Sequence, residues 1–234
     1  MAVARQSGVA RREALLDAAL RCFAERGLLR TGIEDVRKAA GASPSSVYHL
    51  FEDFPALVAA LLERTFERMA GYMTARVLAE RTARAAVRTL VEAHLTWVFD
   101  HEAEARFMYQ ALALELDGHH RAALRDTKAR LKAEMMAHMT ELGVFSGAGS
   151  SGSSGSSEVM FDVVLLGPAH QACRVYLSAS GAVDPAWMRA MLPELACGAL
   201  AAVEPAARAA RRGRRGAGAE PAQKPGGRRK SKAR

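Results

Sequence analysis

Apolar residues recur every three or four positions along most of this chain, and the strict alternation expected of strands is nearly absent. From Val9 to Arg26, Ala10, Ala14, Leu15, Ala18, Ala19, Cys22 and Phe23 share one helical face, and Gly27 ends the run. Residues 1–8 precede the pattern and are expected to form a loose arm. A shorter stripe follows: Ile33, Val36, Ala39 and Ala40, with Thr31 as candidate cap and Gly41 as the left-handed stop. Ser43 and Pro44 open a third helix, since proline at the first helical position gives up only an N–H that has no partner there. Asp53 and Pro55 open a longer helix reaching about Ala79. The spacing predicts further helices over 82–101, 104–116, 119–143, 158–180 and 185–203. The expected fold class is all-α. An N-terminal three-helix helix-turn-helix domain occupies 1–53, and a C-terminal helical domain occupies 54–204.

Two segments break the pattern. Residues 146–157 contain seven Ser and four Gly. They cannot bury apolar area and are expected to be a flexible loop inside one domain, because 158–203 is too short to build its own core. From Pro205 onward, eleven Lys and Arg face a single acid, Glu220, and the segment 205–234 is expected to be a disordered basic tail. This tail carries +10 of a total +8, which leaves −2 on the other 204 residues. The basic balance therefore belongs to an appendage and not to the folded body.

Composition and motifs exclude several function classes. The three cysteines, Cys22, Cys173 and Cys197, form no C-x-x-C pair, which argues against a disulfide framework or a zinc site and fits a reducing cytosol. No stretch of some 18 apolar residues suggests a membrane span, and the N-terminus has no signal-peptide core, so a cytoplasmic location is expected. No G-x-S-x-G, H-E-x-x-H, phosphate loop or clustered carboxylate pair is present, and an enzyme is not expected. Neither a cofactor nor a metal is expected. No two of His94, His101, His119, His120 and His138 stand at the i, i+4 spacing that puts two imidazoles on one helical face.

The segment Thr31–Phe51, TGIEDVRKAAGASPSSVYHLF, carries the chemistry. Two short helices joined by a glycine-containing turn describe a helix-turn-helix. In the second, Val47 and Phe51 are the apolar anchors, and Ser45, Ser46, Tyr48 and His49 lie on the other face. Serine hydroxyls can bond base edges, tyrosine and histidine can reach phosphate oxygens, and the helix N-terminus favours an anion. With Thr31, Arg37, Lys38 and Ser43 these residues form the candidate DNA-binding set. A plain three-helix packing unit would show the same Gly41, Ala40 and Phe51, but not the small polar face.

This segment resembles the TetR (tetracycline-repressor-like) family of bacterial regulators over about residues 10–65. The shared features are Thr31, Ile33, Val36, Ala40-Gly41-Ala42-Ser43, Val47, and the Tyr-x-x-Phe ending of Tyr48 and Phe51. The chain departs from the family pattern at Leu50 and Phe54, where a His or Tyr and a Lys often contact phosphate, and at Arg37, where a small residue is common. Arg37, Lys38, Arg11 and Arg12 are the cations placed to substitute.

The resemblance implies a homodimer, a palindromic double-stranded DNA operator, and a small-molecule effector bound among the C-terminal helices. Residues suited to such a pocket are His94, Trp97 and Val98 in one helix and Met108 and Leu112 in the next. Met135, His138 and Met139 follow, then Phe161 and Leu165. The same residues would serve equally as an ordinary core around a hydrogen-bonded histidine. Dimerisation would use the last two helices, through faces that include Ala169, Ala172 and Tyr176 in one and Trp187, Met191 and Leu195 in the other. The expected function is a ligand-responsive transcriptional regulator, most simply a repressor released by a largely apolar molecule. The alternative is an architectural DNA-binding protein driven by the basic tail.

Overall fold

The computed structural model describes residues 2–113, 118–145, 154–178 and 182–217, and all its regular elements there are helices. They are α1 (Ala2–Arg26), α2 (Ile33–Ala39), α3 (Pro44–Leu50), α4 (Phe54–Val77), α5 (Ala83–Asp100) and α6 (Glu102–Leu112). After these come α7 (Gly118–Glu141), α8 (Ser154–Val159), a π-helical segment (Met160–Leu165), α9 (Gly167–Leu177) and α10 (Pro185–Ala217).

Local chemistry sets several helix starts. The Ser43 hydroxyl accepts from the Ser46 N–H at 3.3 Å, the Asp53 carboxylate from Ala56 N–H at 2.7 Å, and the Thr82 hydroxyl from Ala85 N–H at 3.2 Å. Gly27 and Gly41 take φ of 85° and 60°, a region in which any side chain is strained. Thr31 does not cap α2, contrary to its sequence context. Its hydroxyl donates to the Gly27 carbonyl at 2.9 Å and is buried, while Asp35 accepts from the Gly32 N–H at 2.9 Å and opens the helix instead.

Other boundaries also differ from the expectation. α1 begins at Ala2, so the first residues continue the helix and do not form a loose arm. α10 runs to Ala217, past the point where the tail was expected to lose structure. Its Ala- and Arg-rich composition explains this: both are strong helix formers even where no apolar stripe exists. Residues 218–234 lie outside the described residues, as do 146–153 of the Ser/Gly segment, whose last residues 154–157 belong to α8. The single helix expected over 158–180 is divided into α8, the π segment and α9, with Gly167 and Pro168 at the start of α9.

α5 is the central helix. Val87, Leu90, Val91, Ala93, His94, Leu95, Trp97 and Val98 are buried between α4, α6, α9 and α10, and a stripe through Arg84, Arg88 and Glu92 reaches solvent. One continuous core joins this bundle to α1–α3. At the junction the Phe23 ring stacks on Phe107 of α6 at 5.4 Å and meets Phe54 of α4 edge-on at 6.0 Å. Arg64 of α4 bonds Glu13 and Asp17 of α1 at 2.9 and 2.8 Å, and Arg68 pairs with the buried Glu104 of α6.

Candidate functional site

Two sites lie on this scaffold, one at α2–α3 and one inside the bundle. At the first, Val47 is fully buried and Phe51 nearly so, and they anchor α3 in the continuous core. The rest of the short helix faces outward: Ser43, Ser45, Tyr48 and His49 are exposed, with Tyr48 half accessible, and Ser46 is partly so. Together with Arg11 of α1 and the turn Ala40–Ser43, Ser45, Ser46 and His49 line a shallow concavity. The Ser46 hydroxyl oxygen has no hydrogen-bond partner there. Lys38 is exposed at the end of α2.

Thr31 and Arg37 occupy different positions. Thr31 is turned inward against the end of α1. Arg37 bonds the Glu34 carboxylate at 2.7 Å and the Ala42 carbonyl at 3.1 Å, so its guanidinium clamps the turn between α2 and α3. Arg12 lies over the Phe51 ring at 5.8 Å. Arg37→Ala is expected to lower stability by about 1–2 kcal/mol, because the clamp includes a charged hydrogen bond to a backbone carbonyl. The check is urea unfolding, where the midpoint shifts and the slope stays constant. An unchanged midpoint would show that the clamp contributes nothing.

The second site is a cavity of about 180 Å³ walled by α4, α6, α7, the π segment and α9, with a single contribution, His94, from α5. Of the residues singled out from sequence, His94, Met108, Leu112, Met135 and Phe161 line it. Trp97, Val98, Met139 and Leu165 instead fill the packed core, and Trp97 stacks on His101 at 5.1 Å. His138 donates from Nε2 to the Glu80 carbonyl at 3.0 Å and ties α7 to the end of α4. The reason is geometric: apart from the stripe through Arg84, Arg88 and Glu92, α5 is packed against neighbouring helices, so an inward-facing position on it meets a filled core almost everywhere.

The sequence reading missed Phe66, Met69 and Met73 of α4, which form an i, i+3, i+7 stripe. It also missed Lys128, Leu131 and Lys132 of α7, and Tyr109, Asp162, Leu166 and Arg174, whereas His170, which follows Phe161 and Leu165 in the apolar sequence pattern, does line the cavity. The signal on α7 was two lysines placed on the same face as Leu131 and Met135. The cavity also contains a polar cluster. His94 Nε2 lies 3.2 Å from the Tyr109 hydroxyl, and the His94 and His170 rings meet edge-on at 4.7 Å. His94 Nδ1 is buried with no partner.

Burial holds His94 well below the ordinary histidine range, with His170 adding to the effect. Burial together with the charges of Lys128 and Arg174 brings His170 down to about 4, against the opposing pull of Asp162. Both imidazoles are therefore neutral at pH 7. Burial raises the Tyr109 hydroxyl and pushes the Cys173 thiol up to about 12, leaving the thiol unreactive. Among the described residues, no group of three His, Cys, Asp or Glu could hold a metal ion, and no helix is long and apolar enough to cross a membrane.

Comparison with known proteins bears on the first site. Residues 15–61 match the family model described as bacterial regulatory proteins, tetR family. The chain is 43% identical over 61 residues to an HTH-type transcriptional repressor of Mycobacterium tuberculosis, a match covering 26% of this chain and 33% of the relative. It is 36% identical over 81 residues to the HTH-type transcriptional repressor KstR2 of Rhodococcus jostii, covering 35% and 40%. The matched region thus spans only a third to two fifths of these relatives. The whole fold is similar to the FadR transcriptional regulator of Bacillus subtilis, solved in complex with stearoyl-CoA. There the TM-score is 0.62 and the identity 15%, over 80% of this chain and 98% of that one.

Proposed function

We infer, from the match of residues 15–61 to the TetR family of bacterial regulatory proteins, that this chain is a DNA-binding transcriptional regulator. In this reading residues 1–53 bind DNA, and the helices from 54 onward dimerise and bind the effector. The protein acts as a homodimer on a palindromic operator and leaves it when a small, largely apolar molecule occupies the bundle cavity. The observation that carries this reading is the exposed polar face of α3, held in place by a fully buried Val47. Ser45, Ser46, Tyr48 and His49 meet the groove and its phosphates, Lys38 meets the flanking backbone, and Thr31 and Arg37 hold the turn that aims them.

α6 supplies the link between the two sites. Its Phe107 packs on Phe23 of α1, while Met108, Tyr109 and Leu112 of the same helix wall the cavity. A molecule that displaces α6 therefore displaces the DNA-binding helices. A hundredfold difference in affinity between the two arrangements corresponds to a coupling of about 2.7 kcal/mol. That the FadR relative was solved with a ligand bearing a long acyl chain supports an apolar effector for this fold.

The competing reading is architectural binding driven by the basic tail, motivated by its charge. Truncation after Ala217 separates the two and leaves α10 whole. It removes six of the eleven basic residues. A regulator keeps its ratio of operator to random-DNA affinity and loses mainly salt-sensitive non-specific binding, measured by fluorescence anisotropy across salt concentrations. Loss of the ratio itself would favour the architectural reading.

A further inference from the structure

We propose that the bundle cavity selects an apolar chain that ends in an anion, with the anionic end held between Lys128 and Arg174. The proposal rests on the reading of this cavity as the effector site and specifies what enters it. The wall is apolar over most of its surface, formed by Phe66, Met73, Met108, Leu131, Met135 and Phe161. Methionines make such a wall adaptable to a flexible chain. At about 180 Å³ the cavity lies below the roughly 300 Å³ at the lower end for drug-sized ligands. It suits a slender chain better than a fused ring system.

The charges on the same wall do not balance. Lys128, Lys132 and Arg174 face a single carboxylate, Asp162. Asp162 is already engaged, accepting from the Lys132 ammonium at 2.8 Å. Among the described residues neither Lys128 nor Arg174 forms an ion pair. The Lys128 ammonium lies 5.0 Å from the centre of the Phe66 ring, at the edge of the apolar wall. Both cations are close enough to His170 to disfavour its protonation, so their fields overlap at one end of the cavity.

An anion placed at that end is attracted by both cations and neutralises charge that Asp162, already bonded to Lys132, compensates only in part. The neutral His170 and Tyr109, with the unpartnered Nδ1 of His94, add polar handles without adding charge. A cationic ligand meets repulsion there, and a neutral one leaves the excess positive charge unanswered.

The test is calorimetric titration of the full chain at pH 7 with octanoate, octanol and octylamine. Octanoate is expected to bind at least tenfold more tightly than octanol, and octylamine more weakly than either. Lys128→Met and Arg174→Met each reduce octanoate affinity tenfold or more and leave octanol within twofold, with thermal melting unchanged. Octanoyl-coenzyme A distinguishes the source of the anion. Binding as tight as octanoate assigns a carrier-linked acyl chain, and failure to bind assigns a free carboxylate. Octanol binding as well as octanoate overturns the proposal, as does an unchanged octanoate affinity in both variants or the failure of every probe. Release of selected operator DNA is measured in parallel. Octanoate that binds through Lys128 but leaves the DNA bound keeps the anion site and refutes the effector reading. Octanol that binds equally and releases the DNA does the reverse.

Discussion

Replacing Tyr48 and His49 together with alanine is expected to lower operator affinity by about 10²–10³-fold while leaving the melting temperature unchanged. Both side chains are exposed on α3, and neither contributes to the buried set around Val47. Removing them leaves the fold and its cap intact. A base or phosphate contact is worth about 1–3 kcal/mol, and a two-fold dimer loses each contact twice, so even the low end of that range reaches this loss. The measurement is fluorescence anisotropy on the selected operator, with a random duplex of equal length as control. Affinity for the random duplex should fall far less, because only on the operator do the base contacts of Ser45 and Ser46 seat α3 so that Tyr48 and His49 engage in full, while Lys38 and Arg11 hold either duplex. Equal losses on both duplexes would mean that α3 carries charge contacts and no sequence information.

Trp187→Glu combined with Met191→Glu is expected to yield a folded monomer with operator affinity reduced about 10²–10⁴-fold. Trp187, Met191 and Leu195 stand four residues apart on α10 and are each half exposed, forming a single apolar stripe down the helix. On an otherwise polar surface such a stripe marks an interaction face, and in this reading a second copy of the chain covers it. The opposite face of α10, with Met188, Leu192 and Ala196, is buried against α5 within the same protomer, so the substitutions leave the core untouched. Two carboxylates in the contact repel their partners across the two-fold axis. Losing the second DNA-binding unit removes the effective-concentration gain of bivalent binding, which sets the range quoted. Sedimentation gives the oligomeric state. A variant that stays dimeric would place the interface elsewhere.

The parts of the fold that were legible in sequence are those decided within a few residues. Ser43 before Pro44, Asp53 before Pro55 and the left-handed Gly41 each set a helix end by local hydrogen bonding or backbone freedom, and each is found there. Thr31 was misread because a hydroxyl beside a helix start has two competing partners. The end of α1 offered a buried carbonyl, and Asp35 was available to cap α2 in its place.

The interior site was legible only in outline. Periodicity identifies inward-facing positions, but not whether the space they face is filled or hollow. Trp97 and Val98 share a stripe with His94, yet of the three only His94 lines the cavity. Lys128 and Lys132 escaped notice for the opposite reason. A lysine on a helix usually indicates solvent, and the one local sign, a face shared with Leu131 and Met135, does not reveal that Phe66 and Phe161 pack beneath these two ammonium groups. The tail was misjudged up to Ala217 because poverty in large apolar residues says little about a helix rich in alanine and arginine.

The central claim, that paired α3 helices read a duplex, is tested most directly by selecting bound sequences from a random duplex pool with the full chain and sequencing the survivors. The account predicts an inverted repeat whose half-site centres lie about one helical turn apart, roughly 10 base pairs, absent from the pool recovered with the Tyr48/His49 variant. A recovered pool with no inverted repeat, or the same pool from both proteins, would contradict it.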